Sequence, residues 1–307
     1  MPVFVSVEPA GFCQLHCPEC PVGTASSVQR SVVRRTMPLP LFRHLLQELS
    51  PFVHTVQFFF QGEPLLCRNL PEMIRLAHQE GLYTIVSTNA QSLTQERAEA
   101  LVEAGLSRII VSMDGLSQSS YEAYRKGGDV RKVYAALRYL RQAKTKYKSR
   151  MCIELQCLRL RSNENEWQEF KRSYRRLGAD RLTFKTAQFY DYEHGNPLMP
   201  SDERYSRYKK GKDGTYRLKQ PCRLFSLLPI RKVFGVPLCR RLFTGCVIDA
   251  EGNVLPCCFD KARQFAFGRL CADMSFRSVW ESEKARRFRL QVLHHRLSVP
   301  ICTNCTE

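Results

Sequence analysis

The sequence has no apolar run long enough to cross a bilayer: stretches such as Phe58–Phe60 fall far short of the roughly 20 residues that a helical span needs. It also lacks the basic start and apolar core of a signal peptide, because residues 1–7 alternate like a strand. There is no internal repeat and no low-complexity tract. A soluble protein of the cytoplasm, with no membrane partner, is the expectation. Acidic residues are scarce, 29 against 47 Lys plus Arg, for a net charge of +18. Such a balance favours an acidic partner without choosing between nucleic acid, a membrane surface, an acidic peptide and an acidic electron donor. Two stretches concentrate it, Arg138–Arg150 and Arg204–Arg223. Neither interleaves aromatics in a nucleic-acid motif, and solvated faces explain them equally well.

What is present is sulfur. Fourteen cysteines are too many for core filling alone, and a reducing compartment disfavours disulfides, so clustered cysteines read as metal ligands. Apolar content of 44% in 307 residues suffices for one large domain or two ordinary ones.

Strand-like runs alternate with helix-like segments up to about residue 185. The strands are expected at Val3–Val7, Val53–Phe60, Leu82–Val86, Arg108–Ser112, Met151–Cys157 and Arg181–Phe184. The helices are expected at Leu39–Leu49, Pro71–Glu80, Thr94–Ala104, Asp129–Ala143 and Glu164–Leu177. Pro71 suits a first helical turn, and Gly81, Gly105 and Gly178 sit where helices stop. This alternation predicts a parallel sheet, in an α/β fold of the open (β/α)6 barrel kind, with its chemistry at the C-terminal strand ends. The expected division is residues 1–190 for the barrel, 191–221 for a basic linker and 222–307 for a small cysteine-rich domain. Eight of the fourteen cysteines lie in that last part.

Cys13, Cys17 and Cys20 follow closely on the first strand, spaced x3 and x2. One tight loop thus carries three soft thiolate ligands, suited to an iron–sulfur cluster or to zinc. Three ligands without an evident fourth leave a metal position open, as catalysis requires; zinc borrowing a distant fourth cysteine is the alternative.

This spacing at this place resembles the radical S-adenosylmethionine (SAM) superfamily. The resemblance implies that Cys13, Cys17 and Cys20 hold a [4Fe–4S] cluster whose fourth iron is chelated by SAM. It implies reductive cleavage of SAM to a 5′-deoxyadenosyl radical, which takes a hydrogen atom from a substrate. Gln61-Gly62-Glu63-Pro64 is similar to the family's Gly-Gly-Glu motif and assigns Gly62 and Glu63 to the SAM amino group. Ser87-Thr88-Asn89 resembles the polar segment facing ribose or methionine, assigning Ser87 and Asn89. Ser112-Met113-Asp114-Gly115, followed by Tyr124-Arg125, resembles an SxDG…YR pattern, assigning Ser112, Asp114 and Arg125. Two positions depart from the family: Gln61 stands for the first glycine, and Glu19 stands before the third cysteine, where an aromatic residue is common.

Farther on, Cys239, Gly252 and Cys257 are spaced x12 and x4, and Cys302 and Cys305 form a CxxC near the end. A turn at Asp249–Gly252 brings Cys239 and Cys257 together, and the CxxC closes a four-thiolate site for zinc or an iron–sulfur cluster. The pattern resembles the SPASM extension, which implies one auxiliary [4Fe–4S] cluster on Cys239, Cys257, Cys302 and Cys305. Cys246, Cys258 and Cys222 are the substitutes. Cys67, Cys152, Cys157 and Cys271 read as apolar fillers.

SPASM relatives act mostly on peptides and proteins, so modification of a peptide or protein is the expected activity. Oxidation or epimerisation of a small carbohydrate-like molecule is the second reading. A zinc-stabilised nucleic-acid-binding protein is the reading from another class. Reduced flavodoxin or a ferredoxin-type donor is the expected reductant. With only twelve residues before Cys13, a separate leader-binding protein is a further expected partner. No acid or base stands out among Asp260, Tyr190, Tyr192, His194 and Asp191.

Overall fold

A computed structural model describes residues 1–26, 35–219, 239–271 and 274–306. Six strands run parallel in sequence order: β1 (Phe4–Val7), β2 (Thr55–Phe58), β3 (Tyr83–Thr88), β4 (Arg108–Ser112), β5 (Cys152–Arg159) and β6 (Arg181–Thr186). Each matches a predicted strand, with ends moved by a residue or two. Helices return the chain between them, giving a partial (β/α)6 barrel. Helix Leu39–Leu49 shows why: Phe42, Leu45, Leu46 and Leu49 fall on one stripe and are all buried. Burying each is worth about 1.5–3 kcal/mol. Helix Val130–Lys146 does the same with Val133, Ala136, Leu137, Leu140 and Ala143, and Asp129 caps its start.

The predicted helix Glu164–Leu177 begins differently. Residues Arg161–Glu166 wind as a 3-10 helix, and the α-helix covers only Trp167–Ser173. Buried Asn163 is the reason. Its amide donates to the carbonyls of Asp114 and Leu158, and its Oδ1 accepts from Leu160 N and Trp167 Nε1. Pulled inward, that residue tightens the first turn.

A separate antiparallel pair, β7 (Tyr208–Lys210) and β8 (Tyr216–Leu218), lies within the basic stretch after the barrel. The C-terminal part begins its described course at Cys239; Cys222 lies outside the described residues. Its strands β9 (Gly245–Ile248), β10 (Asn253–Leu255) and β11 (Gly268–Arg269) extend the barrel's own sheet. β9 pairs parallel with β1, and β10 and β11 follow antiparallel. An open barrel leaves β1 with an unpaired edge, and β9 supplies the partner groups that edge needs. Gly252, with φ +87°, makes the turn between β9 and β10.

The basic stretches meet local acids. Arg141 and Lys144 pair with Asp180, Lys146 with Glu99, Arg204 with Asp202 and Arg217 with Asp213. Exposed pairs of this kind add little stability.

Candidate active site

The loop after β1 folds over the C-terminal ends of β2, β3 and β4. There, a cavity of about 190 Å³ is bordered by Cys13, Cys17 and Cys20 on one side. Gln61, Gly62, Glu63, Ser87, Asn89, Ser112 and Arg125 border the rest. All three cysteines and six of the seven other residues assigned by resemblance therefore meet in one place.

Close backbone approach builds this corner. Glu63 N donates to Phe12 O at 2.9 Å. A side chain at Gly62 would put its Cβ 1.9 Å from Ala10 O, so only glycine lets the cysteine loop dock. At Gly23, Cβ would lie 2.4 Å from Cys17 O, which holds the loop from its other side.

Glu63 is 2% exposed and accepts from Thr88 Oγ1 (2.6 Å), Asn89 N (2.8 Å) and Leu65 N (3.1 Å). It braces the end of β2 to the end of β3, and burial pushes its carboxyl up. Asp114 is fully buried behind Arg125. It accepts from Arg125 Nε and from Leu158 N, both at 2.6 Å. Its visible work is to aim the guanidinium, whose Nη1 lies 4.0 Å from Cys17 Sγ.

The sulfurs have donors. Leu15 N and Asn89 Nδ2 each lie 3.4 Å from Cys13 Sγ. Burial pushes the Cys13 thiol up to about 12, with Glu63, Cys17 and Cys20 adding to it. Burial also raises Cys17, which Arg125 opposes. Thiols so buried keep their protons until a cationic centre takes the protons' place. Three thiols facing one cavity, with N–H groups aimed at sulfur, are a donor set that fits an iron–sulfur cluster.

The second cysteine set is carried by the C-terminal part of the chain. Burial raises Cys257, and Cys258, Cys239 and Cys305 add to it. Burial pushes Cys302 up to about 11, opposed by Arg296 and reinforced by Cys305 and Cys239. Cys239 and Cys305 thus stand within electrostatic reach of both Cys257 and Cys302, and Cys258 within reach of Cys257. Cys258 receives Arg241 Nη1 at 3.1 Å. Cys246 sits in β9, 2% exposed in the hydrophobic core. Cys67 and Cys157 are core fillers, whereas Cys271 is exposed. None of the thirteen described cysteines is paired in a disulfide. Among the described residues, no three His, Cys, Asp or Glu side chains meet at the spacing of a single bound ion.

Residues 7–154 match the Radical SAM superfamily, and residues 239–306 match SPASM, an iron–sulfur cluster-binding domain. The chain is a radical SAM enzyme with a SPASM domain. The PqqA peptide cyclase of Bradyrhizobium diazoefficiens is 24% identical over 302 residues, covering 94% of this chain and 76% of that protein. The S-adenosyl-L-methionine-dependent 2-deoxy-scyllo-inosamine dehydrogenase of Niallia circulans is 31% identical over 112 residues, covering 35% of this chain and 43% of its own. Among solved structures, Streptococcus suis SuiB bound to its precursor peptide SuiA shares the fold. Its TM-score is 0.67 at 15% identity, over all of this chain and 71% of that one.

In this radical SAM enzyme the two departures from the family pattern have structural work. Gln61 Nε2 donates to Lys261 O at 2.7 Å, linking the radical SAM and SPASM domains. Gln61→Ala is expected to lower stability by about 0.5–1.5 kcal/mol, the worth of one hydrogen bond, seen as a lower urea midpoint at unchanged slope. Glu19 accepts from Tyr190 N at 3.1 Å and Asn196 Nδ2 at 3.0 Å.

Sequence reasoning missed the polar seam between the two domains. Glu8, fully buried, accepts from Gln61 N, Gly62 N, Ala250 N and Arg263 Nη2. Arg263 Nε also bonds Asp249 Oδ2 at 2.6 Å. Asp260, noted as a polar candidate, accepts from Gln264 N and Phe265 N and shapes its own loop. An acidic residue directly after an apolar strand was the only visible hint of Glu8.

Proposed function

We propose that this enzyme modifies a peptide or protein, by reductive cleavage of SAM and abstraction of a hydrogen atom from the substrate. One observation carries the reading: a second cavity, of about 480 Å³, lies between the two cysteine sets. Pro21, next to Cys20, borders it on one side. Phe259, next to Cys258, and Thr303 and Asn304, between Cys302 and Cys305, border it on the other. A molecule there lies against residues adjacent to both cysteine motifs.

The walls suit a peptide. Tyr190, Tyr192, Phe259 and Ile301 offer apolar surface, and Lys261 offers a cation whose Nζ lies 5.2 Å from the Tyr190 ring centre. Two relatives point the same way: one matched along most of this chain is a peptide cyclase, and SuiB was solved with a precursor peptide.

In this reading Cys13, Cys17 and Cys20 hold the SAM-binding [4Fe–4S] cluster. Cys239, Cys257, Cys302 and Cys305 hold one auxiliary [4Fe–4S] cluster. The loaded first cluster supplies the electron that splits SAM into methionine and the 5′-deoxyadenosyl radical. The protein's own part is placement. The Gly62–Glu63 segment, Ser87, Asn89, Ser112 and Arg125 orient SAM, and Asp114 fixes Arg125. Arg125 pairs with the SAM carboxylate, a charge-assisted contact, while the buried walls exclude water. A reduced flavodoxin or ferredoxin, both acidic, suits the +18 chain as donor. A separate leader-binding protein fits the same scheme.

Oxidation or epimerisation of a small carbohydrate-like molecule is the second reading, favoured by the match to the 2-deoxy-scyllo-inosamine dehydrogenase. The two separate in one assay. Reconstituted enzyme, SAM and dithionite are given size-fractionated peptides from the host, or 2-deoxy-scyllo-inosamine. Nucleoside release that rises with a peptide fraction, together with a changed peptide mass, supports the first reading. A response to the aminocyclitol alone reverses the order.

A further inference from the structure

Both cysteine motifs are hydrogen-bonded to the same two residues, Phe189 and Tyr190, just after β6. On one side Tyr190 N–H donates to Glu19, the residue before Cys20, at 3.1 Å. On the other side Phe189 O accepts from Asn304 Nδ2, the residue before Cys305, at 2.7 Å. Tyr208 completes the joint. Its hydroxyl receives Phe189 N–H at 2.9 Å and stands 2.9 Å from Asn304 Oδ1. Asn304 already serves the Phe189 carbonyl, so the single hydroxyl proton goes to Asn304 Oδ1. Phe189 and Tyr208 are essentially fully buried, and Tyr192 stacks on Tyr208 with ring centres 4.6 Å apart.

This arrangement is more than local capping. A carboxylate before one cysteine and a carboxamide before another engage opposite faces of one dipeptide. Each is separated from its partner by well over a hundred residues of sequence. The buried bond from Phe189 N to Tyr208 and the half-buried ones to Asn304 resist distortion, because breaking one leaves a polar group short of a partner, while the bond from Tyr190 N to Glu19 is exposed. Glu19 also holds Asn196, so its loop is anchored twice.

We propose that Phe189–Tyr190 is a strut setting the spacing between the two cysteine motifs, with Glu19, Tyr208 and Asn304 as positioning residues. The strut rests on the cluster assignment above and adds a coupling that the assignment alone does not require. Motion of either cysteine loop is transmitted to the other, and the cavity between them keeps a fixed width.

The test uses the full-length reconstituted protein, read by iron and sulfide content and by the electron paramagnetic resonance of the dithionite-reduced protein. The first cluster's signal is recognised by its shift on adding SAM. The expected result is a cross-effect. Glu19→Ala lowers the intensity of the other, SAM-insensitive signal at least threefold. Asn304→Ala weakens the SAM-induced shift of the first signal by a similar factor. Glu19→Gln, whose single oxygen can still accept from Tyr190 N–H while the bond from Asn196 Nδ2 is lost, restores most of the lost signal. Tyr208→Phe keeps the packing and removes only the hydroxyl; it reproduces the Asn304→Ala pattern if the alanine variants fold poorly. Effects confined to the mutated residue's own cluster, or wild-type spectra in all variants, overturn the strut. A protein that loads no iron in its wild-type form refutes the cluster assignment itself.

Discussion

Changing Cys13, Cys17 and Cys20 to alanine together is expected to abolish 5′-deoxyadenosine formation, by at least a thousandfold, while the barrel still folds. A thousandfold loss is about 4 kcal/mol of transition-state stabilisation. No neighbour replaces the thiols. Among the described residues no other cysteine borders the cavity, and Arg125, Leu15 N and Asn89 Nδ2 meet the sulfurs as donors. The fold survives because the loop is held elsewhere, by Glu63 N on Phe12 O and by the close contact at Gly62. Cys67→Ala is the control: that thiol is fully buried in the core, and its loss costs stability while nucleoside formation continues. The measurement is chromatography of the nucleoside after anaerobic reconstitution and dithionite reduction. Nucleoside from the triple variant, or none from wild type with a full reducible cluster, ends the radical reading.

Arg263→Ala should be the most destabilising single change away from the cysteines. Glu8 and Asp249 are both fully buried, and Arg263 bridges them. Removing one member of a buried ionic set costs about 3–5 kcal/mol, because the remaining charges lose their partner. The loss should depend on pH. Burial already holds the Glu8 carboxyl above the ordinary carboxylate range, and Arg263 is the largest influence opposing it. Without Arg263 the carboxyl rises further. A raised acid binds its proton in the folded chain first, so stability falls as pH climbs from the unfolded value through the folded one. The variant should therefore lie closer to wild type at pH 5 than at pH 8, with melting temperature as the readout. A constant gap across that range refutes the buried-carboxylate account.

The barrel was legible because its signal is local. Strands such as Arg108–Ser112 and helices such as Leu39–Leu49 carry their own period, and Pro71 and Gly81 mark their ends. The cysteine motifs and the polar residues at strand ends were legible for the same reason. The placement of the C-terminal hairpin was not, because Val5 opposite Cys246 is a pairing that nothing near either residue announces. Glu19 was visible only as an oddity. Its partners, Tyr190 N and Asn196, belong to a distant loop and contribute a backbone group and an ordinary amide. Glu8, Asp249 and Arg263 are likewise unremarkable one at a time, and become a network only once β9 lies beside β1.

That placement also governs the order in which the chain assembles. Strands β1 to β6 pair with sequence neighbours and can zip up as they leave the ribosome. β9 pairs with β1 across most of the intervening chain, so its contact has a long loop to close, and such contacts form late. Until residue 248 emerges, β1 presents a bare edge to other nascent chains, an invitation to intermolecular pairing. Truncation before Gly245 makes that exposure permanent. Such fragments should aggregate even though every strand of the barrel proper is intact.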